Sequence, residues 1–85
     1  MDNKENLKKI IIYGAMWCPD TLRALSFMNQ NKIDFEFRDI NEDEENTKFV
    51  NETNNGKTII PTIIFPDGTI LTEPSNSELL RITQK

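Results

Sequence analysis

Residues 10–21 read Ile10-Ile11-Ile12-Tyr13-Gly14-Ala15-Met16-Trp17-Cys18-Pro19-Asp20-Thr21. The first four are β-branched or aromatic, and Gly14 bounds the run. That predicts a short strand buried on both faces, hence central and parallel to a neighbour. Pro19 suits the first position of a helix, where an N–H would go unused. Asp20 suits the positive end of the helix dipole. A buried strand running directly into a helix is the opening of an α/β unit.

Working outward, Leu22, Leu25 and Met28 lie at spacing three with Ala24 and Phe27 beside them, and Asn29 to Lys32 ends the helix. Ile33, Phe35 and Phe37 alternate with Asp34, Glu36 and Arg38, as in a strand with one wet face. Asn41 is placed to cap a second helix, and Glu44, three residues on, to reach back to it. That helix has a thin apolar face, Phe49 and Val50, and is expected to be peripheral. Asn54-Asn55-Gly56 ends it, because Asn and Gly tolerate left-handed backbone. Ile63-Ile64-Phe65 and Thr69-Ile70-Leu71 flank Pro66-Asp67-Gly68 as a hairpin. Ser75-Asn76-Ser77-Glu78 is a capping box for a last helix carrying Leu79, Leu80 and Ile82.

The order is β-α-β-α-β-β-α. It predicts an α/β fold with a mixed four-stranded sheet and helices on both faces, in one domain over residues 1–85.

The whole chain has 85 residues, one cysteine and no histidine. Cys18 therefore has no intramolecular disulfide partner. The common structural zinc sites and histidine-based acid–base or Ser-His-Asp chemistry are excluded. Ten Lys+Arg against fourteen Asp+Glu leave a charge of −4, which argues against nucleic acid or an anionic membrane as partner. Met1 to Lys9 is polar, and the apolar run Lys9–Ala15 is too short to span a bilayer and lacks a signal-peptide layout. The expectation is a cytoplasmic protein, in a compartment where a free thiol is ordinary.

If the chain does covalent chemistry, Cys18 is its nucleophile. It stands between the central strand and the first helix, where α/β proteins place their sites. Free N–H groups at a helix start stabilise a thiolate, the reactive form. Asp20 opposes this, unless it points to solvent. The competing reading is a buried, inert thiol. Trp17, Pro19 and Asp20 favour an exposed helix start instead.

Trp17-Cys18-Pro19-Asp20-Thr21 after a central strand, and Ile60-Pro61-Thr62 before an edge hairpin, resemble the glutaredoxin and thioredoxin superfamily. The resemblance is to short monothiol glutaredoxin-like proteins of the mycoredoxin type. Those share the Asp-Gly hairpin and a Leu-Thr-x-Pro-Ser stretch, here Leu71-Thr72-Glu73-Pro74-Ser75. The resemblance implies a thioredoxin-like (glutaredoxin) fold and a thiol–disulfide oxidoreductase. Cys18 would attack a disulfide and form a mixed disulfide. Pro61 would be a cis-proline facing it, turning the main chain of Ile60 towards an extended thiol substrate. The residues alone favour a trans proline opening an edge strand, and only the resemblance points to the cis form.

Thr21 replaces the second cysteine of the dithiol pattern, so only monothiol exchange remains. Its hydroxyl either donates to the thiolate or bonds its own backbone. Ala15 stands where glutaredoxins usually carry a lysine. Thr58 takes the place of a basic residue before the cis-proline, with Lys57 one step earlier. Lys57 either reaches a substrate carboxylate or is a solvated loop lysine. Thr72-Glu73 replaces a Gly-Gly pair, and Glu73 would repel an anionic thiol. Ser75 and Asn76, at the last helix start, are expected free to hold a carboxylate. Trp17 either covers the substrate or packs on Pro61.

The implied co-substrate is glutathione or another low-molecular-weight thiol, with no tightly bound cofactor. The implied partners are protein disulfides or mixed disulfides and a reductase that regenerates the thiol, with the chain a monomer. Two other readings stand beside this one. One is an iron–sulfur cluster carrier of the monothiol glutaredoxin type, against which the usual Cys-Gly-Phe-Ser sequence is missing. The other is a non-catalytic binding module on a thioredoxin fold.

Overall fold

The computed structural model describes residues 9–84. The polar stretch that opens the chain lies, save for Lys9, outside the described residues. The elements are β1 (Ile10–Gly14), α1 (Pro19–Gln30), β2 (Phe35–Asp39), α2 (Glu44–Thr53), β3 (Thr62–Ile64), β4 (Ile70–Thr72) and α3 (Asn76–Thr83). They form one sheet of order β2-β1-β3-β4. β1 is parallel to β2 and antiparallel to β3, and β3 is antiparallel to β4. The mixed four-stranded sheet, with its parallel pair at β1, is the one expected from the residues.

Alternation along β1 sorts its side chains to two faces. Ile10 and Ile12 join Ala24, Phe27 and Met28 of α1, Leu79 of α3, and Ile63 and Phe65. Tyr13 joins Val50 of α2 together with Ala15, Cys18 and Ile60, with Ile11, Phe49 and Ile64 packed against them. Two helices thus cover one face and α2 the other. Phe49 stacks on Tyr13 with ring centroids 4.6 Å apart. Arg38 lies over the same ring and donates to the Tyr13 hydroxyl at 3.0 Å and to Glu36 at 2.7 Å. The Glu36 bond, and then Tyr13, hold the guanidinium above its ordinary value against the lowering effect of partial burial.

α1 turns Ala24, Phe27 and Met28 inward as expected, with Leu25 packed against the core, but Thr21 takes the inward place expected of Leu22. Its buried residues are Thr21, Ala24, Phe27 and Met28, while Leu22 is exposed. The cause lies in Gly14. A Cβ built there would come within 2.5 Å of the Thr21 hydroxyl oxygen. The bare glycine lets Thr21 pack against the end of β1. Leu22, about 100° further round the helix, is carried outward.

β2 begins at Phe35, two residues later than the alternation suggests, and Ile33 instead packs on the core from the preceding loop. The α2 cap also differs from expectation. Asp43 is the N-cap and its carboxylate accepts from Glu45 N–H at 2.9 Å. Asn41 is held outside the helix, because its N–H donates to the Asp39 carboxylate at 2.8 Å. Thr47 and Asn46 then tie the first turns of α2 to the carbonyls of Ile40 and Asp39.

Asn55 and Gly56 take the left-handed backbone expected after α2. Asn54, the C-cap, donates to Val50 O and to the Thr62 hydroxyl and accepts from the Thr72 hydroxyl. Gly68, also left-handed, turns the hairpin. Ser75 and Glu78 form the capping box read from their spacing. Among the described residues no helix is long and apolar enough to cross a membrane.

Candidate functional site

Cys18 is the N-cap of α1, with extended backbone at φ −93° and ψ 118°. Its N–H donates to Ala15 O and its carbonyl accepts from Leu22 N–H, both at 3.0 Å. Pro19 follows at the first helical position, and no side chain caps the helix. The N–H groups of Asp20 and Thr21 are therefore free of intrahelical partners and sit at the positive end of the dipole, beside the thiol-bearing residue.

The site is less open than its flanks suggest. Trp17 and Met16 are exposed, at 67% and 55%, whereas Cys18 is 9% exposed and packs with Tyr13, Ala15, Val50 and Ile60. Met16 and Trp17 form the tip of a turn closed by the bond from Cys18 N–H to Ala15 O, which leaves their side chains outside while Cys18 returns to the cluster. Trp17 turns outward, with two thirds of its surface open to solvent.

The Ile60–Pro61 peptide is cis. Ile60 belongs to the same cluster as Cys18, and Pro61 is fully buried. The two segments singled out in the sequence, 17–21 and 60–61, thus meet. The third, at the start of α3, joins through Glu73, whose N–H donates to Pro61 O at 2.8 Å. Glu73 has φ 49°, in the left-handed region that favours glycine.

Thr21 is fully buried, and its hydroxyl oxygen accepts from Ala15 N–H at 3.4 Å. Together with the bond from Cys18 N–H to Ala15 O, this fixes the turn that leads into the helix. Neither alternative read from the sequence describes it, because the hydroxyl bonds the turn before the helix. Asp20 is half exposed and pairs with Arg23 at 3.2 Å, which offsets the charge expected to oppose a thiolate. Arg23 also donates to Pro74 O at 3.2 Å and to Asn76 Oδ1 at 3.1 Å. It links the first turn of α1 to the start of α3, a role the reading of the sequence did not assign. The available signal was its i,i+3 spacing from Asp20.

Ser75 and Asn76 are not free, as was expected of them. Ser75 N–H donates to Glu78 Oε1 at 2.9 Å and its hydroxyl accepts from Glu78 N–H at 3.1 Å. Asn76 holds Arg23. Lys57 is exposed on the loop between α2 and β3, with its N–H on Asn54 O. A hollow of about 460 Å³ lies elsewhere, at the junction of β2 and α2, lined by Phe37 to Asp39, Glu42, Asp43, Glu45 and Asn46. Its acids serve local turns, Asp39 towards Asn41 and Asp43 towards Glu45. Among the described residues no group of three or more acidic, Cys or His side chains is arranged to hold a metal.

The Glutaredoxin family model matches residues 10–70. A Mycobacterium tuberculosis protein provisionally named a glutaredoxin is 34% identical over 70 residues, covering 82% of this chain and 83% of its own. Mycoredoxin 1 of Corynebacterium glutamicum is 31% identical over 74 residues, covering 87% of this chain and 91% of its own. The crystal structure of a glutaredoxin from Archaeoglobus fulgidus superposes with a TM-score of 0.75 at 22% identity, covering 100% of this chain and 98% of that one. The structural match bears on the fold, which is thioredoxin-like. The sequence matches bear on descent.

Proposed function

This chain belongs to the glutaredoxin family, and we propose that it exchanges thiols with disulfides by a monothiol route in which Cys18 is the nucleophile. One observation carries the reading. The chain's single cysteine caps α1 at the carboxyl end of the central strand, in one buried cluster with Ile60, the residue before the cis Pro61. Free N–H groups at that position favour the thiolate.

In the first step the Cys18 thiolate attacks one sulfur of a disulfide. The S–S bond breaks, a bond from Sγ to that sulfur forms, and the other sulfur leaves with the electron pair and takes a proton from water. With no second cysteine in the chain, a free thiol from solution completes the cycle. Its thiolate attacks the substrate sulfur of the mixed disulfide, and Cys18 leaves as thiolate. The co-substrate is glutathione or another low-molecular-weight thiol. The wider substrates are protein disulfides or mixed disulfides, and a reductase regenerates the small thiol. In this reading the protein works in the cytoplasm.

Thr21 keeps the Ala15–Cys18 turn in place. Trp17, next to the thiol and open to solvent, covers the apolar part of the incoming molecule. The main chain of Ile60 pairs with its extended part, as in other extended-peptide recognition. Incubation with oxidised small thiols, followed by mass spectrometry of the intact protein, tests the reading. One adduct per chain is expected, absent in Cys18→Ser, together with loss of disulfide-reductase turnover. Native protein and Cys18→Ser both at background would refute it.

A further inference from the structure

We propose that Glu73 sets the charge class of the small disulfide that reaches Cys18, admitting neutral and cationic molecules in preference to anionic ones. The inference rests on the exchange reading above. Position comes first. Glu73 is one main-chain hydrogen bond from Pro61, and the residue before Pro61 packs with Cys18. Glu73 is exposed, so its carboxylate stands in solvent on the rim of the site. It holds a left-handed backbone that glycine adopts more freely.

Among the described residues no cationic side chain pairs with Glu73. Arg23 is paired with Asp20 and hydrogen-bonded to Pro74 O and Asn76. Lys57 makes no hydrogen bond or ion pair with any of these side chains. At the start of α3, a natural seat for a carboxylate, the capping box already uses the N–H groups of Ser75 and Glu78. Glu78 occupies the Ser75 N–H and adds its own charge there. An incoming carboxylate therefore meets the charges of Glu73 and Glu78, while a cationic or neutral disulfide is repelled by neither.

The test uses three disulfides, namely cystamine (a dication), 2-hydroxyethyl disulfide (neutral) and oxidised glutathione (a dianion). Rates of adduct formation on Cys18 are measured for the native protein and for Glu73→Gln, and each disulfide is judged by the ratio of the two. This removes differences in intrinsic reactivity. The ratio should be about threefold above one for cystamine, near one for the neutral disulfide, and about threefold below one for oxidised glutathione at low salt. High salt should draw all three towards one. Glu73→Lys in place of Glu73→Gln should widen the spread, with the cystamine ratio further above one and the oxidised glutathione ratio further below it. Asp34→Asn makes the same charge change at the far end of α1 and should leave all three ratios unchanged. Equal ratios for the three disulfides, or faster reaction of oxidised glutathione with the native protein, would overturn the inference alone. Absence of any adduct with any disulfide would overturn the exchange reading as well.

Discussion

On one face of the sheet Ile10, Ile12 and Ile63 meet Ala24, Phe27, Met28 and Leu79, an apolar cluster closed by two helices. On the other face Tyr13 meets Val50 under the single helix α2, and the cluster ends at Cys18 and Ile60. The consecutive Ile10, Ile11 and Ile12 serve both faces, because successive strand residues point to opposite sides. The difference lies in what covers them. The first face has the volume to hold the fold together. The second is thin, polar at Arg38 and Tyr13, and carries the Cys18 sulfur at its margin. On the proposed function, stability and chemistry fall on opposite sides of β1.

The largest test of this division is at the sulfur itself. Cys18→Ala should reduce disulfide-reductase turnover to background while changing unfolding free energy by about 1 kcal/mol or less, read from urea titration. A loss above about 3 kcal/mol would make Cys18 a structural residue and break the contrast. Next come paired truncations of the two faces. Ile12→Ala, fully buried on the thicker face, should cost about 2–5 kcal/mol. Val50→Ala, fully buried on the thinner one, should cost about 1–2 kcal/mol. Equal costs would show that the two clusters carry equal weight.

Gly14→Ala probes the seam between the faces. The added methyl meets Thr21 and should destabilise by about 1–3 kcal/mol. Adding Thr21→Ala should restore part of that loss in thermal melts, which identifies the close approach as the cause. The smallest effect is expected at α3. Ser75→Ala removes one cap and should cost about 1 kcal/mol, lowering the melting temperature without touching Cys18 chemistry.

Much of this was legible in the residues because it depends on short-range rules. The Ile10–Tyr13 run, Pro19 at a helix start, the Ser75–Glu78 box and the Asn55-Gly56 terminator each act within four or five positions. The resemblance supplied what local rules could not, the cis peptide at Pro61. What stayed hidden depends on distant partners or on helix rotation. Arg23 and Asn76 are separated by 53 positions, so nothing local announces their bond. Leu22 reads as inward on spacing alone, and only the room left by Gly14 decides that Thr21 takes that place. Asn41 and Asp43 are both good caps, and the Asp39 carboxylate chooses between them by holding Asn41. The coverage of Cys18 turns on Ile60 and Val50, residues brought beside it from two other elements.

Asn54 has one further consequence. Its side-chain amide reaches Val50, Thr62 and Thr72, and Asn51 accepts from Gly56 N–H and the Thr58 hydroxyl at 2.6 Å each. The segment from 55 to 61 is therefore a short closed loop, anchored at both ends and again in its middle. Few backbone states are left for it to lose. A partner that lines up along Ile60 meets a surface whose ordering entropy was lost on folding, and binding there carries little additional cost of immobilising the chain.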